Sequence, residues 1–340
     1  MRSPDRTRGR FWLGTLMLLL GGATAAALAG GDTATPGSAT DLVHEVQGFG
    51  DKTTGGRGGE LTWVTTLADA GPGSLRNAAE DASRRWIRFR VSGTLPLLTP
   101  IAVASDKTID GRGAKITITG RGLVIDGQSN VIVENLLFAD GEDDAVHVVN
   151  GARNVWIDHC SLSHWSDGLI DITRASTDIT ISWCRFSHHD KVVLIGASPV
   201  ERGDTVIRVT LHHNHFERTT ERHPRLRFGK VHAYNNYYEA WGSYGAASSM
   251  LGELLSQANI YEAGWDKDAI ITRSGRDPEE GYVRSVGDRA LGEAIIVERE
   301  PGRVFDPARF YTSARVAPPD ETLKEQIRRE AGWRDVALSP

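Results

Sequence analysis

The sequence predicts an all-β chain wound as a parallel β-helix, and three observations predict it. Six segments align on one template, ending at residues 138, 162, 186, 216, 238 and 261. One column of the alignment reads Leu136, Cys160, Cys184, Asn214, Asn236 and Asn259, with steps of 24, 24, 30, 22 and 23 residues. Two positions later the column is mostly aromatic, with Phe138, Phe186, Phe216, Tyr238 and Tyr261. A period of 20 to 30 residues built from short alternating strands suits a solenoid, where each coil buries its apolar face only against its neighbours. An asparagine at the same corner of successive coils can bond to the next rung, about 4.8 Å away, so the column reads as an asparagine ladder.

The elements follow in chain order. Residues 1–10 carry four arginines and one aspartate, residues 11–20 are apolar, and Ala27-Leu28-Ala29 closes a small-residue stretch. That layout is a secretory signal, 1–29, cleaved after Ala29, so a secreted product without stable membrane association is expected. An uncleaved anchor is the alternative, because 11–30 is uncharged and just long enough to span a bilayer. Residues 30–44 read as a flexible leader and 45–340 as one domain. Ser74 caps a helix over 75–83, placed to lid the first coil. Strands follow over 87–91, 101–103 and 115–118, broken at Gly93, Asp110-Gly111 and Gly120. After Tyr261 the repeat fades into a charged region reaching Val304. Pro319-Asp320 opens a short C-terminal helix over 321–330, whose Leu323 and Ile327 form one apolar stripe for the outside of the solenoid.

Charge and cysteine count exclude several functions. The formal net charge is −5, and loss of the segment's four arginines and one aspartate carries it to −8, which argues against nucleic acid as partner. Gly48-Phe-Gly50 lacks the third glycine and the preceding strand of a dinucleotide fingerprint. His188, His189, His212, His213, His215 and His232 suggest zinc, but strand alternation sends His212 and His213 to opposite faces and no third ligand has the usual spacing. Cys160 and Cys184 occupy consecutive rungs of one column, where Cα atoms about 4.8 Å apart fall within disulfide reach. Export permits oxidation, so a bridge is expected there, with two buried free thiols as the alternative.

The acidic residues are more telling. Glu142 and Asp144 follow one coil, and Asp167 and Asp171 follow the next at the equivalent place. Stacking would bring four carboxylates into one patch that repels itself or takes up protons, unless a hard cation such as Ca²⁺ resolves it. A solvated acidic rim is the alternative. Next along the same face come Lys191 and then Arg222, Arg225 and Arg227 in Arg-His-Pro-Arg-Leu-Arg, a cluster suited to holding an anion.

A set of ordered motifs then becomes recognisable: Gly48-Phe-Gly50, Gly71-Pro-Gly-Ser-Leu-Arg76, Val155-Trp-Ile-Asp-His159, Asp167-Gly-Leu-Ile-Asp171, Arg222-His-Pro-Arg-Leu-Arg227 and Val231-His-Ala-Tyr-Asn-Asn236. Together they resemble the pectate lyases of polysaccharide lyase family 1, over about 45–265 with an echo at Ala331-Gly332-Trp333. The resemblance implies a right-handed parallel β-helix and Ca²⁺-dependent β-elimination of polygalacturonate by a monomer. It puts the calcium carboxylates on Glu142, Asp144, Asp167 and Asp171, substrate binding on Lys191 and Arg227, and the catalytic base on Arg222. An arginine acts as base only through its neutral fraction, so an alkaline optimum is implied. Glu142 departs from the family's aspartate, and two ladder asparagines are cysteines here. A lyase for methyl-esterified pectin would not need the acidic cluster, a hydrolase would want aspartates set for water attack, and a non-catalytic carbohydrate-binding solenoid would not need Arg222.

Overall fold

The computed structural model describes residues 45–336, which fall in one compact unit. The expected signal segment and leader lie outside the described residues. Within them the chain winds through three parallel sheets, one of ten strands and two of nine. A representative coil runs Ser129–Glu134 in the ten-stranded sheet, Leu137–Gly141 in a second sheet, then Val146–Val149 in the third. The third sheet is called the cleft sheet below. The strands all pair in parallel and hold register from coil to coil, for example Val155 against Val131 and Ile179, apart from shifts beside Gly120 and Asp268. The interior is aliphatic, with Val133, Ile157, Ile181 and Leu211 buried.

The ladder forms at the short turn between the first two sheets. Asn214 N and Nδ2 donate to Asn236 Oδ1 at 3.0 and 2.9 Å, and Asn236 N and Nδ2 donate to Asn259 Oδ1 at 2.8 and 3.0 Å. Each amide therefore satisfies the groups that burial would otherwise leave unpaired. The aromatic column stacks beside it, Phe186, Phe216, Tyr238 and Tyr261 lying 5.0, 4.8 and 4.4 Å apart in turn.

Three expectations change here. The repeat does not fade after Tyr261: Asp268–Ile271, Tyr282–Val286, Arg289–Leu291 and Ile295–Ile296 continue all three sheets. The ladder continues with them, because Asp288 Oδ1 accepts from Asn259 N at 2.7 Å. A carboxylate serves as well as an amide at the last rung, where nothing further needs a donor. The cysteines are not bridged. Both are buried free thiols, Cys160 Sγ donating to Asp158 O at 3.3 Å and Cys184 Sγ to Ile157 O at 3.7 Å. On parallel rungs the Cβ vectors point the same way, and each sulfur bonds to a backbone carbonyl instead of turning to its neighbour. Third, His212 and His213 do not face apart. The strand ends at His212, His213 turns with φ 55°, and their Nδ1 atoms meet at 3.0 Å.

The two helices stand where the sequence suggested, one at the first coil and one along the outside. Leu75–Ala79 is helical, shorter than expected, with Ser74 Oγ accepting from Asn77 N at 3.2 Å. The C-terminal helix spans Glu321–Glu330, Asp320 capping Leu323 N at 3.0 Å, and buries Leu323 and Ile327 against Tyr237 and Ile260. The segment around Gly48-Phe-Gly50 straps the ten-stranded sheet, Phe49 N and Gly50 N donating to Thr210 and Thr180 hydroxyls at 3.0 Å each. A Cβ on Gly48 would lie 2.2 Å from Thr210 Oγ1 and its φ is 80°, so close approach requires glycine there. Among the described residues no helix is long and apolar enough to cross a membrane.

Candidate active site

The cleft-sheet strands and the turns leading into them from the second sheet carry the charged residues the sequence singled out. Glu142 and Asp144 precede Val146–Val149, Asp167 precedes Gly168–Ile172, Lys191 opens Lys191–Ile195, and Arg222 precedes Arg225–Arg227. Asp171 points from the sheet itself, in register with His147 on one side and Leu194 on the other. In-register stacking therefore collects side chains that are up to 80 residues apart, as expected of a solenoid.

Two carboxylates converge on one glycine. Asp144 Oδ1 accepts from Gly168 N at 2.9 Å. A Cβ on Gly168 would lie 2.5 Å from Asp171 Oδ1 and 2.7 Å from Asp144 Oδ1, so both oxygens face the same small volume and only glycine leaves it open. Asp171 retains some solvent contact, yet its Oδ1 is enclosed and has no hydrogen-bond partner. Burial, followed by the Asp144 charge, pushes its carboxyl up to about 8, against the pull of Arg222 and Lys191. Burial raises Asp144 as well, with Asp167 and Asp143 adding to it. A cavity of about 360 Å³ opens beside them, lined by Glu142, Asp143, Asp144, His147 and Asp167.

An enclosed, unpartnered oxygen beside a second carboxylate is a poor arrangement for protein alone and a good one for a hard cation. Asp144 and Asp171 fit such an ion directly. The other two expected ligands lean elsewhere: Asp167 Oδ1 takes Lys191 Nζ at 2.7 Å, and Glu142 Oε2 pairs with Arg121 at 3.0 Å. Arg121 also holds Asp143, so Arg121, Asp143 and His147 belong to this site although the sequence reading did not name them. For His147 a signal existed, since it shares a register column with Asp171.

The cationic half is divided between two roles. Arg222 lies next to the carboxylates: its carbonyl accepts from Val193 N at 2.8 Å, and its Nε is buried without a hydrogen-bond partner, 3.5 Å from Glu221 Oε1. Arg227 is turned inward. Its Nε donates to both Asp277 oxygens at 2.9 and 3.0 Å and its Nη1 to the carbonyls of Gly196 and Ala197 at 3.0 and 2.8 Å. Arg225 reaches the same Asp277 at 3.1 Å. The two arginines thus anchor residues 272–280 against the cleft.

The tightest group of metal-capable atoms among the described residues lies elsewhere, where Glu134, Asp158 and His159 come within 4.8 Å of one another. Asp158 is already engaged there, Oδ2 with His159 Nδ1 at 2.5 Å and Oδ1 with the Ser182 hydroxyl. Ser182 in turn takes Trp156 Nε1 at 2.8 Å. The Trp-Ile-Asp-His motif is thereby accounted for as a buried hydrogen-bonded node.

Residues 13–281 match the sequence profile of the pectate lyases. The chain belongs to the pectate lyase family. Pectate lyase 4 of Ambrosia artemisiifolia is 36% identical over 268 residues, 70% of this chain and 67% of that protein. The crystal structure of jun a 1, the major allergen of cedar pollen, superposes with a TM-score of 0.78 at 30% identity, covering 87% of this chain and 94% of that one. A pectate lyase from Bacillus sp. N165, solved in complex with trigalacturonate, shares the fold at 21% identity with a TM-score of 0.69, over 86% and 99% of the two chains. Pectate lyases are polysaccharide lyases, and this chain is an enzyme of that kind.

Proposed function

We propose that the protein is a secreted, monomeric pectate lyase that cleaves α-1,4-polygalacturonate by Ca²⁺-dependent β-elimination, leaving a 4,5-unsaturated sugar. The observation that carries this reading is the pair of carboxylates over Gly168, one with an enclosed and unpartnered oxygen. Asp144 and Asp171 would hold the cation, with Asp167 and Glu142 completing the set. Bound there, Ca²⁺ supplies positive charge to offset the negative charge that grows on the uronate as its C5 proton leaves.

The chain's own residues do the rest. Lys191 pairs with Asp167 and lines a second cavity that shares Asp167 with the first, where it can bind a uronate carboxylate. Arg222, near enough to pull on the Asp171 carboxyl, would take the C5 proton when neutral. The C5–H electron pair becomes the C4=C5 double bond, the C4–O bond breaks, and the leaving oxygen is protonated from solvent. Arg227 supports the cleft from below by fixing Asp277 and the backbone at Gly196. The Bacillus relative's trigalacturonate complex supports an oligogalacturonate substrate. A pectin lyase would leave the Asp144 and Asp171 charges without purpose, which favours pectate over methylated pectin.

Ultraviolet absorbance of the unsaturated product tests the proposal directly. Polygalacturonate should be cleaved with Ca²⁺, poorly with Mg²⁺, which is smaller and more firmly hydrated, and not in excess chelator. Faster cleavage of methylated pectin, or full activity with chelator, would overturn it.

A further inference from the structure

One exposed aromatic is left unused by this reading. Trp265 is 96% exposed. It lies in the turn between Ile260–Glu262 and Asp268–Ile271, the same class of turn that carries the acidic residues and Arg222. In the cleft sheet, Asp268–Ile271 follows Ala246–Ser249, which follows Arg225–Arg227. Trp265 therefore stands two rungs beyond Arg222, on the order of 10 Å along the solenoid axis. In the intervening turn Trp241 and Tyr244 are buried, Tyr244 receiving Ser274 Oγ at 3.1 Å, so Trp265 stands free where its predecessor is packed away.

A lone exposed tryptophan is ordinary; this one is presented by a fixed turn, with two unpaired cations across the strand from it. Lys267 Nζ donates to the carbonyls of Gly264 and Gly292 at 3.0 and 2.9 Å, and Asp268 N donates to Asp266 Oδ1 at 2.9 Å. Gly264, next to the tryptophan, packs so closely that a Cβ there would lie 2.7 Å from Ala240 Cβ. Past the other end of the same strand, Arg273 and Arg276 are exposed and form no ion pair among the described residues. Their segment is not loose, because Asp277 is clamped by Arg225 and Arg227. One rung of the cleft thus offers an indole face at one border and two free guanidinium groups at the other.

We infer that Trp265, with Arg273 and Arg276, forms a distal sugar-binding subsite for long polygalacturonate chains. The flat C–H face of a galacturonate ring would stack on the indole, and its carboxylate or the next one would meet a guanidinium. This rests on the proposed function, and it names what sets the preference for chain length. Trp265 lies in the same class of turn as Arg222 and two strands along the same sheet, and Arg273 and Arg276 supply the positive charge for a polyanion, against Asp266 and Asp268 beside the indole.

The test compares kcat/KM on polygalacturonate with kcat/KM on trigalacturonate, for wild type, Trp265→Ala, Trp265→Phe and the Arg273→Gln/Arg276→Gln double variant. The ratio of long to short should fall about five- to tenfold in Trp265→Ala, be largely rescued by phenylalanine, and fall with weakened salt dependence in the double variant. Unchanged melting temperatures would show that the fold is intact. If Trp265→Ala leaves the ratio at its wild-type value, whether by no effect or by equal loss on both substrates, the subsite is refuted while the lyase reading stands. If the wild type cleaves neither substrate, the lyase reading fails and the subsite with it.

Discussion

Replacing Asp171 by asparagine should stabilise the metal-free protein at alkaline pH, even though it removes a residue the proposed reaction needs. The carboxyl sits at about 8 in the folded chain against about 3.8 ordinarily. A raised value means the neutral form is the one folding favours. That stability is fully present below about pH 3.8 and is lost as pH climbs toward 8. At about 1.4 kcal/mol per pH unit the ceiling is on the order of 5 kcal/mol, and coupling to Asp144 and the partial solvent contact bring a realistic figure to roughly 2–4 kcal/mol. Asparagine keeps the shape and drops the charge. In chelator, Asp171→Asn should therefore melt several degrees above wild type at pH 8 and level with it near pH 4. Calcium should reverse the order at pH 8, raising the wild type and leaving the variant unmoved, because only ionised carboxylates repay an ion. Calorimetry with and without Ca²⁺ at the two pH values reads all four numbers. A metal-free variant that melts below wild type at pH 8 would show that the Asp171 charge is already satisfied by Arg222 and Lys191, and the argument for a cation would lose its footing.

Other outcomes follow from the same contacts. Arg222→Lys should lower kcat by roughly 10² or more while KM changes far less, as initial rates across pH would show; near wild-type turnover at alkaline pH would remove Arg222 as base. Arg227→Ala should cost roughly 2–3 kcal/mol of stability, read as a lower melting temperature, as well as raise KM, because buried Asp277 keeps only Arg225 as partner. A KM effect with no thermal change would mean that Arg227 serves the substrate alone. Thiol titration should find two reactive groups per chain in denaturant without reductant and almost none in the native protein, since Cys160 and Cys184 are both buried; fewer than two would restore the bridge.

Repeat, ladder, C-terminal helix and the acidic and basic columns were legible in the sequence because each is a matter of position along a period. The helix over Glu321–Glu330 came out with its bounds because Asp320 and the Leu323, Ile327 pair are local signals. What the period could not tell was which partner a side chain takes once placed. Arg227 finds Asp277 fifty residues on, in a segment read only as charged and irregular. Glu142 leans on Arg121, which belongs to an earlier coil. Asp288 closes the ladder as a carboxylate, which a column of amides does not predict. His212 and His213 meet because a left-handed turn residue breaks the alternation that should have parted them.

The ladder and the cleft are one geometry with opposite outcomes. Stacking in register puts like beside like at every corner of the coil. Where the repeated residue is asparagine, donor and acceptor alternate along the column, and each rung completes the next, as Asn214, Asn236 and Asn259 do. Where it is a carboxylate, every group accepts and none donates. Asp144 and Asp171 stand on neighbouring coils outside one register column, yet both face Gly168, and Asp171 Oδ1 is left with nothing in the chain to satisfy it. The solenoid could have placed a lysine there, as it does against Asp167, or a serine, as it does against Asp158. At Gly168 it places no side chain at all, and the oxygens of Asp144 and Asp171 both face the space where a Cβ would stand.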